Sequence, residues 1–228
     1  MDPITQQTTL AAAGGKKDPL YVDDVFSTFL YEGTGSARTI TNGIDNSDKS
    51  LVWIKQRNAA NSHALQDTVR GTGVYLASDT VNPQIGLTTR ITSFNSDGFT
   101  TGSSPGINGS GNDYVAWNFK AEPGFFDVVT YTGNGTAGRT VAHNLGSVPG
   151  FMVVKKTSGN SDWLVYHQGL SGAAQKTIQL NESNTSYSDS TVWNNTNPTA
   201  SVFTVGTSND TNQSGSTYVA YLLSLIHI

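Results

Sequence analysis

Phe125-Phe126-Asp127-Val128-Val129-Thr130-Tyr131-Thr132-Gly133-Asn134-Gly135-Thr136-Ala137-Gly138-Arg139-Thr140-Val141 decides how the chain is read, because a version of it occurs earlier. Tyr31-Glu32-Gly33-Thr34-Gly35-Ser36-Ala37-Arg38-Thr39-Ile40 has the same tyrosine and the same glycine pair 100 positions before, and the same arginine 101 before. The apolar run Phe151-Met152-Val153-Val154-Lys155 repeats Leu51-Val52-Trp53-Ile54-Lys55 at the same offset. Near the ends, Ser214-Gly215-Ser216-Thr217-Tyr218-Val219-Ala220-Tyr221 repeats Ser110-Gly111-Asn112-Asp113-Tyr114-Val115-Ala116-Trp117. Blocks matching in one order define two tandem copies of a unit of ordinary domain size.

Outward from these blocks, the local signals are short strands and turns. Val25-Phe26, Thr28 to Tyr31, Arg38 to Ile40, Tyr75-Leu76, Leu87 to Ile91 and Tyr114 to Phe119 have strand composition in the first copy. Trp163 to Tyr166 and Lys176 to Leu180 supply strands in the second. Leu51 to Ile54, apolar without alternation, fits a strand buried on both faces. No window shows sustained helical periodicity. The fold expected is all-β: two tandem antiparallel β-sandwich repeats, lectin-like or jelly-roll-like, over 20–122 and 123–222. The junction Glu122-Pro123-Gly124 is short, so the copies should lie close together.

Residues 1–19 are small and polar and read as a flexible arm, which either docks on a neighbouring subunit or frays. Residues 223–228 differ in composition from the rest and resemble a translated sequencing-adapter end. The natural chain is therefore expected to be cut after about Leu222, and His227 carries no functional weight.

Composition excludes several classes. A formal charge of −4 offers no basic face for phosphates, so no nucleic-acid partner is expected. With no cysteine there is neither a disulfide nor a thiolate metal site. No apolar run is long enough to span a bilayer, and no membrane insertion is expected.

The chemical motifs are few. Gly133-Asn134-Gly135-Thr136-Ala137-Gly138 has dinucleotide-loop spacing, but no useful helix can follow it before Gly146 and Pro149. It reads as a hairpin turn, with Gly33, Gly35, Gly133 and Gly135 supplying the backbone freedom. Arg38 and Arg139 either grip an anion or pin their own turns through carbonyl oxygens; their repetition beside the turn favours pinning. His63, His143 and His167 lie at no metal-ligand spacing and read as surface or turn residues, and neither a metal nor a cofactor is expected. Asp45-Asn46-Ser47-Asp48 and Asn95-Ser96-Asp97-Gly98 read as turns rather than calcium loops. The three glutamates, Glu32, Glu122 and Glu182, form no glycosidase pair, which leaves glycan hydrolysis the weakest option. Trp53 and Trp117, inside apolar strands, read as core. Trp193, beside Asn194 and Asn195 in a polar stretch, has two readings: a platform stacking a sugar ring, or a loop anchor folded back on the core.

Tyr21 to Tyr31, Asn42-Gly43-Ile44-Asp45, Phe126 to Gly135, His143-Asn144-Leu145-Gly146-Ser147-Val148-Pro149-Gly150 and Tyr218-Val219-Ala220-Tyr221 resemble a repeated domain of uncharacterised function found in virion proteins of marine tailed bacteriophages. The resemblance covers nearly all of residues 19 to 222. It implies a non-enzymatic virion protein of tail or fibre type, made in the host cytoplasm, with no cofactor and with further repeats beyond the cut. Other virion proteins and further copies of the chain would be its partners. The alternative function is adhesion to a host-surface glycan.

Overall fold

The computed structural model describes residues 20–225; the expected arm over 1–19 and the last three residues of the expected adapter tail lie outside them. The chain is predominantly β, with several antiparallel sheets. The first copy contains β1 (Phe26–Glu32), β2 (Arg38–Thr41), β3 (Ser50–Gln56), β4 (Ala64–Asp67), β5 (Val74–Tyr75), β6 (Ile85–Gly86), β7 (Ile91–Asn95), β8 (Gly98–Thr101) and β9 (Asp113–Lys120). The second contains β10 (Phe126–Thr132), β11 (Arg139–Ala142), β12 (Pro149–Lys156), β13 (Leu164–His167), β14 (Lys176–Gln179), β15 (Tyr187–Ser188), β16 (Val202–Val205) and β17 (Thr217–Ser224). Leu223 and Ser224 thus continue the last strand. The segment 87–90, expected as part of a strand, instead links β6 to β7.

The main sheet of the first copy has the order β1-β9-β3-β4, and its counterpart runs β10-β17-β12-β13 before adding β14 and β15. The registers repeat: Tyr31 faces Tyr114 as Tyr131 faces Tyr218, and Ile54 faces Ala64 as Val154 faces Leu164. A smaller sheet accompanies each, β2-β8-β7 in the first copy and β11-β16 in the second.

Side chains alternate across a strand, and here both faces of the main sheets are apolar. One face of the first, through Tyr31, Val52, Ile54, Tyr114 and Ala116, clusters with Ile40, Ile91 and Phe99 of the smaller sheet. In the second copy Tyr131, Met152, Val154, Tyr218 and Ala220 cluster with Val141, Phe203 and Val205. The opposite faces meet each other: Leu51, Leu65 and Leu76 pack with Phe126, Val128, Val153, Trp163, Val165, Val219 and Tyr221. That third cluster explains why the central runs lack alternation, since each large side chain so buried contributes roughly 1.5–3 kcal/mol.

Polar bonds fasten the same contact. Arg70 Nε donates to Asp67 Oδ2 at 2.7 Å and Arg70 Nη2 to the Tyr221 hydroxyl at 3.0 Å, while that hydroxyl donates to Asp67 Oδ2 at 2.8 Å. The Trp163 indole N–H donates to the carbonyls of Ala77 and Thr80, each at 3.1 Å. Lys155, fully buried, reaches the Val81 carbonyl at 2.9 Å. Segment 77–81 of the first copy thereby lies over the second.

The glycine turns are not hairpins. β1 pairs with β9 whereas β2 pairs with β8, so the turn carries the chain from one sheet to another, as it does between β10 and β11. What holds it is a distant backbone. Gly33 N donates to Asn112 O and Gly35 N to Asn108 O; Gly133 N donates to Ser216 O and Gly135 N to Asn212 O. A Cβ on Gly33 or Gly133 would stand 2.2 Å from a carbonyl oxygen, and Gly35 and Gly135 take φ of 72° and 71°. These positions admit only glycine without a shift of backbone.

Candidate functional site

The turn residues form one knot, built twice. Tyr31 donates its hydroxyl proton to Ile107 O at 2.6 Å, and Tyr131 donates to Thr211 O at 2.6 Å. Each tyrosine stacks on its partner across the sheet, Tyr114 or Tyr218. Asn108 and Asn212 accept from the turn amides of Thr34 and Asn134 and donate to the carbonyls of Ser36 and Thr136. Arg38 Nη1 donates to Glu32 O at 2.9 Å, Arg139 Nη1 donates to Thr132 O, and both guanidinium groups lie over the tyrosine rings. Each arginine makes these contacts within its own copy.

Trp193 requires a correction. It ends a one-turn helix, Ser190–Trp193, is 1% exposed, and sits in the core edge-on to Tyr166. Asp189 caps that helix by accepting from Thr191 N, and Asn194 and Asn195 follow with φ of 53° and 51°. The ring is the anchor, not a platform: the amides around it belong to a helix stop in the left-handed region, which asparagine tolerates.

Trp53 and Trp117 require the opposite correction. They are register partners on β3 and β9, with rings 6.1 Å apart and edge-on, and both are only half-buried. With His63 and Phe119 they wall a cleft of about 290 Å³. Leu30, on β1, extends the same sheet face and is 57% exposed. Trp53 and Phe119 also line a smaller cleft of about 120 Å³ between the copies, opposite Phe151, Trp163 and Tyr221. The open face is therefore continuous with the closed inter-copy contact.

The wall offers few polar handles. The Trp53 indole N–H donates to His63 Nδ1 at 2.8 Å, so those two atoms satisfy each other. Burial holds the His63 pKa below its ordinary value, with Asp79 pulling the other way. An apolar surface fits this face better than a sugar, whose hydroxyls need partners. Strand composition could not distinguish an outward Trp53 from a buried one. Its sister residue, Val153, is buried at the inter-copy contact.

The remaining residues fall elsewhere. His143 is buried rather than superficial, and its Nδ1 accepts from Leu145 N at 3.3 Å. His167 lies edge-on to Phe151. Asp45 accepts from Ser47 in a local turn. Among the described residues no group of three or more His, Asp or Glu could hold a metal ion, and no helix is long and apolar enough to cross a membrane.

A duplicated antiparallel β architecture with an open aromatic face is the class that fold and site define. The chain belongs to the family described as a domain of unknown function, DUF7483, whose match runs over residues 22–227 and so spans both copies. Among curated proteins, none shows significant sequence similarity to it.

Proposed function

We propose that the chain is a non-enzymatic structural module of a tailed-bacteriophage virion, of tail or fibre type. In this reading its two copies are small antiparallel sandwich domains. It assembles with a second copy of itself through the face formed by Leu30, Trp53, Trp117 and Phe119. The phage setting rests on the sequence resemblance. The self-association rests on one observation: the open aromatic face is continuous with a contact at which the equivalent faces of the two copies already pair. A surface that pairs with its own homologue within the chain is chemically suited to pair with itself across a two-fold axis.

Sedimentation velocity over a concentration series tests this. The intact chain is expected to form dimers or larger assemblies. Trp117→Glu and Leu30→Glu should shift it to monomer, whereas Val148→Glu, an exposed position in the second copy, should not. A wild-type chain that stays monomeric at every concentration, or a Trp117→Glu variant that still associates, overturns the reading.

A further inference from the structure

The first copy contains a cavity of about 420 Å³, within the range of small-molecule sites, roughly 300–1,000 Å³. Its walls include Gln56, Asn61, Ser62, Tyr75, Arg90 and Asn112. Arg90 is the unusual member. It is 8% exposed, its Nε and Nη1 are buried without a hydrogen-bond partner, and no ion pair to it occurs among the described residues. Its guanidinium carbon stands 3.6 Å from the centre of the Tyr75 ring. Gly106 makes room, since a Cβ there would stand 2.8 Å from Arg90 Nη2. A desolvated cation without an anion is costly. Burial accordingly pulls the Arg90 pKa down, with Tyr75 opposing.

The fold does not require an arginine here. Gly102 N bonds Arg90 O and Ser104 N bonds Thr89 O; in the second copy Gly206 N bonds Val192 O and Ser208 N bonds Thr191 O. The backbone thus matches Arg90 with Val192, which is buried in the core. Other wall positions also differ. Opposite Asn61 and Gly106 the second copy has Ser161 and Asp210, and Ser161 Oγ donates to Asp210 Oδ1 at 2.9 Å. Opposite Gln56 it has Lys156, whose Nζ donates to Gln213 Oε1. In the first copy Asn61 Nδ2 donates to Gln56 Oε1 and Gln56 Nε2 to Asn58 Oδ1, but glycine stands in place of the Asp210 carboxylate, and among the described residues Arg90 is left beside the cavity with no anionic partner.

We propose that this cavity binds a carboxylate-bearing sugar, with Arg90 compensating the carboxylate and the Asn61 amide oxygen, the Ser62 hydroxyl and the Asn112 amide meeting the ring hydroxyls. A buried guanidinium charge favours a carboxylate placed in the cavity beside it. Amides and a hydroxyl supply the donors and acceptors that a polyhydroxylated ring needs. The site is separate from the aromatic face, so it stands or falls independently of self-association.

The test is calorimetric titration of the intact chain with sodium glucuronate, glucose and sodium acetate at constant ionic strength. Glucuronate should bind saturably and at least tenfold more tightly than either of the others. Arg90→Val, the residue of the sister copy, should weaken glucuronate at least tenfold while leaving the melting temperature equal or higher. Asn61→Asp, at an exposed position on the rim, should also weaken it by setting a fixed negative charge there. No saturable binding up to tens of millimolar, acetate binding as tightly as glucuronate, or an Arg90→Val protein that binds like wild type overturns the proposal.

Discussion

The two main sheets present the same positions on their outward faces, and those positions have different fates. Val153, Trp163 and Tyr221 in the second copy are buried beneath the first, whereas their counterparts Trp53, His63 and Trp117 are only half-buried. Segment 77–81 accounts for the difference, because it lies over Trp163 and Lys155. Duplication thus gives two inner cores that share the tyrosine knot and one unequal outer contact. What a residue does on that contact depends on which copy it belongs to.

The largest expected effect contrasts sister positions. Trp163→Ala should cost about 3–5 kcal/mol in urea unfolding, the usual range for truncating a buried tryptophan. His63→Ala, at the matching place on an open face, should cost under about 1 kcal/mol. Equal losses would break the comparison.

Next in size is a test of the sameness of the inner cores. Tyr31→Phe and Tyr131→Phe each strand a buried carbonyl, at Ile107 or Thr211, and each should cost about 1–3 kcal/mol. A large inequality between the two, measured in the same denaturant series, would show that the knots are alike only in geometry.

The smallest effect concerns pH. Burial pushes the Lys155 pKa down to about 8 from the ordinary 10.5, with Asp162 and Asp210 opposing. Above about pH 8 the folded lysine loses its proton while the unfolded one keeps it, so unfolding takes up a proton and stability rises with pH. Below about pH 8 both states are protonated and this slope vanishes. Melting temperatures taken from pH 7 to the onset of tyrosine ionisation should show the rise. Lys155→Met should flatten it and Lys55→Met should leave it; a slope unchanged by Lys155→Met would place its origin elsewhere.

Much of the β architecture was legible in the repeated blocks. Strand positions followed from β-branched and aromatic runs, and the two buried faces implied by the unbroken Leu51 to Ile54 run hold at Leu51, Val52 and Ile54 but not at Trp53. The glycine turn was located but its connection was misread. A hairpin and a sheet-to-sheet crossover need the same backbone freedom, and the partner that distinguishes them, Asn108 or Asn212, lies more than 70 residues away in sequence. Trp53 and Trp117 were misread for a related reason, and Trp193 stayed divided between an anchor and a platform. Polar neighbours made Trp193 look exposed and apolar neighbours made Trp53 look buried, yet burial was set by elements distant in the chain. Arg90 gave no sequence signal of its own; only the structural match to Val192 marks it.

The junction at Glu122-Pro123-Gly124 has one more consequence. A tether of a few residues sets the effective concentration of one copy around the other in the millimolar range or above. The contact between the copies therefore needs only modest intrinsic affinity, which gives its residues freedom to diverge. Cleaving the tether would convert the contact into a bimolecular equilibrium, and the separated halves would part on dilution.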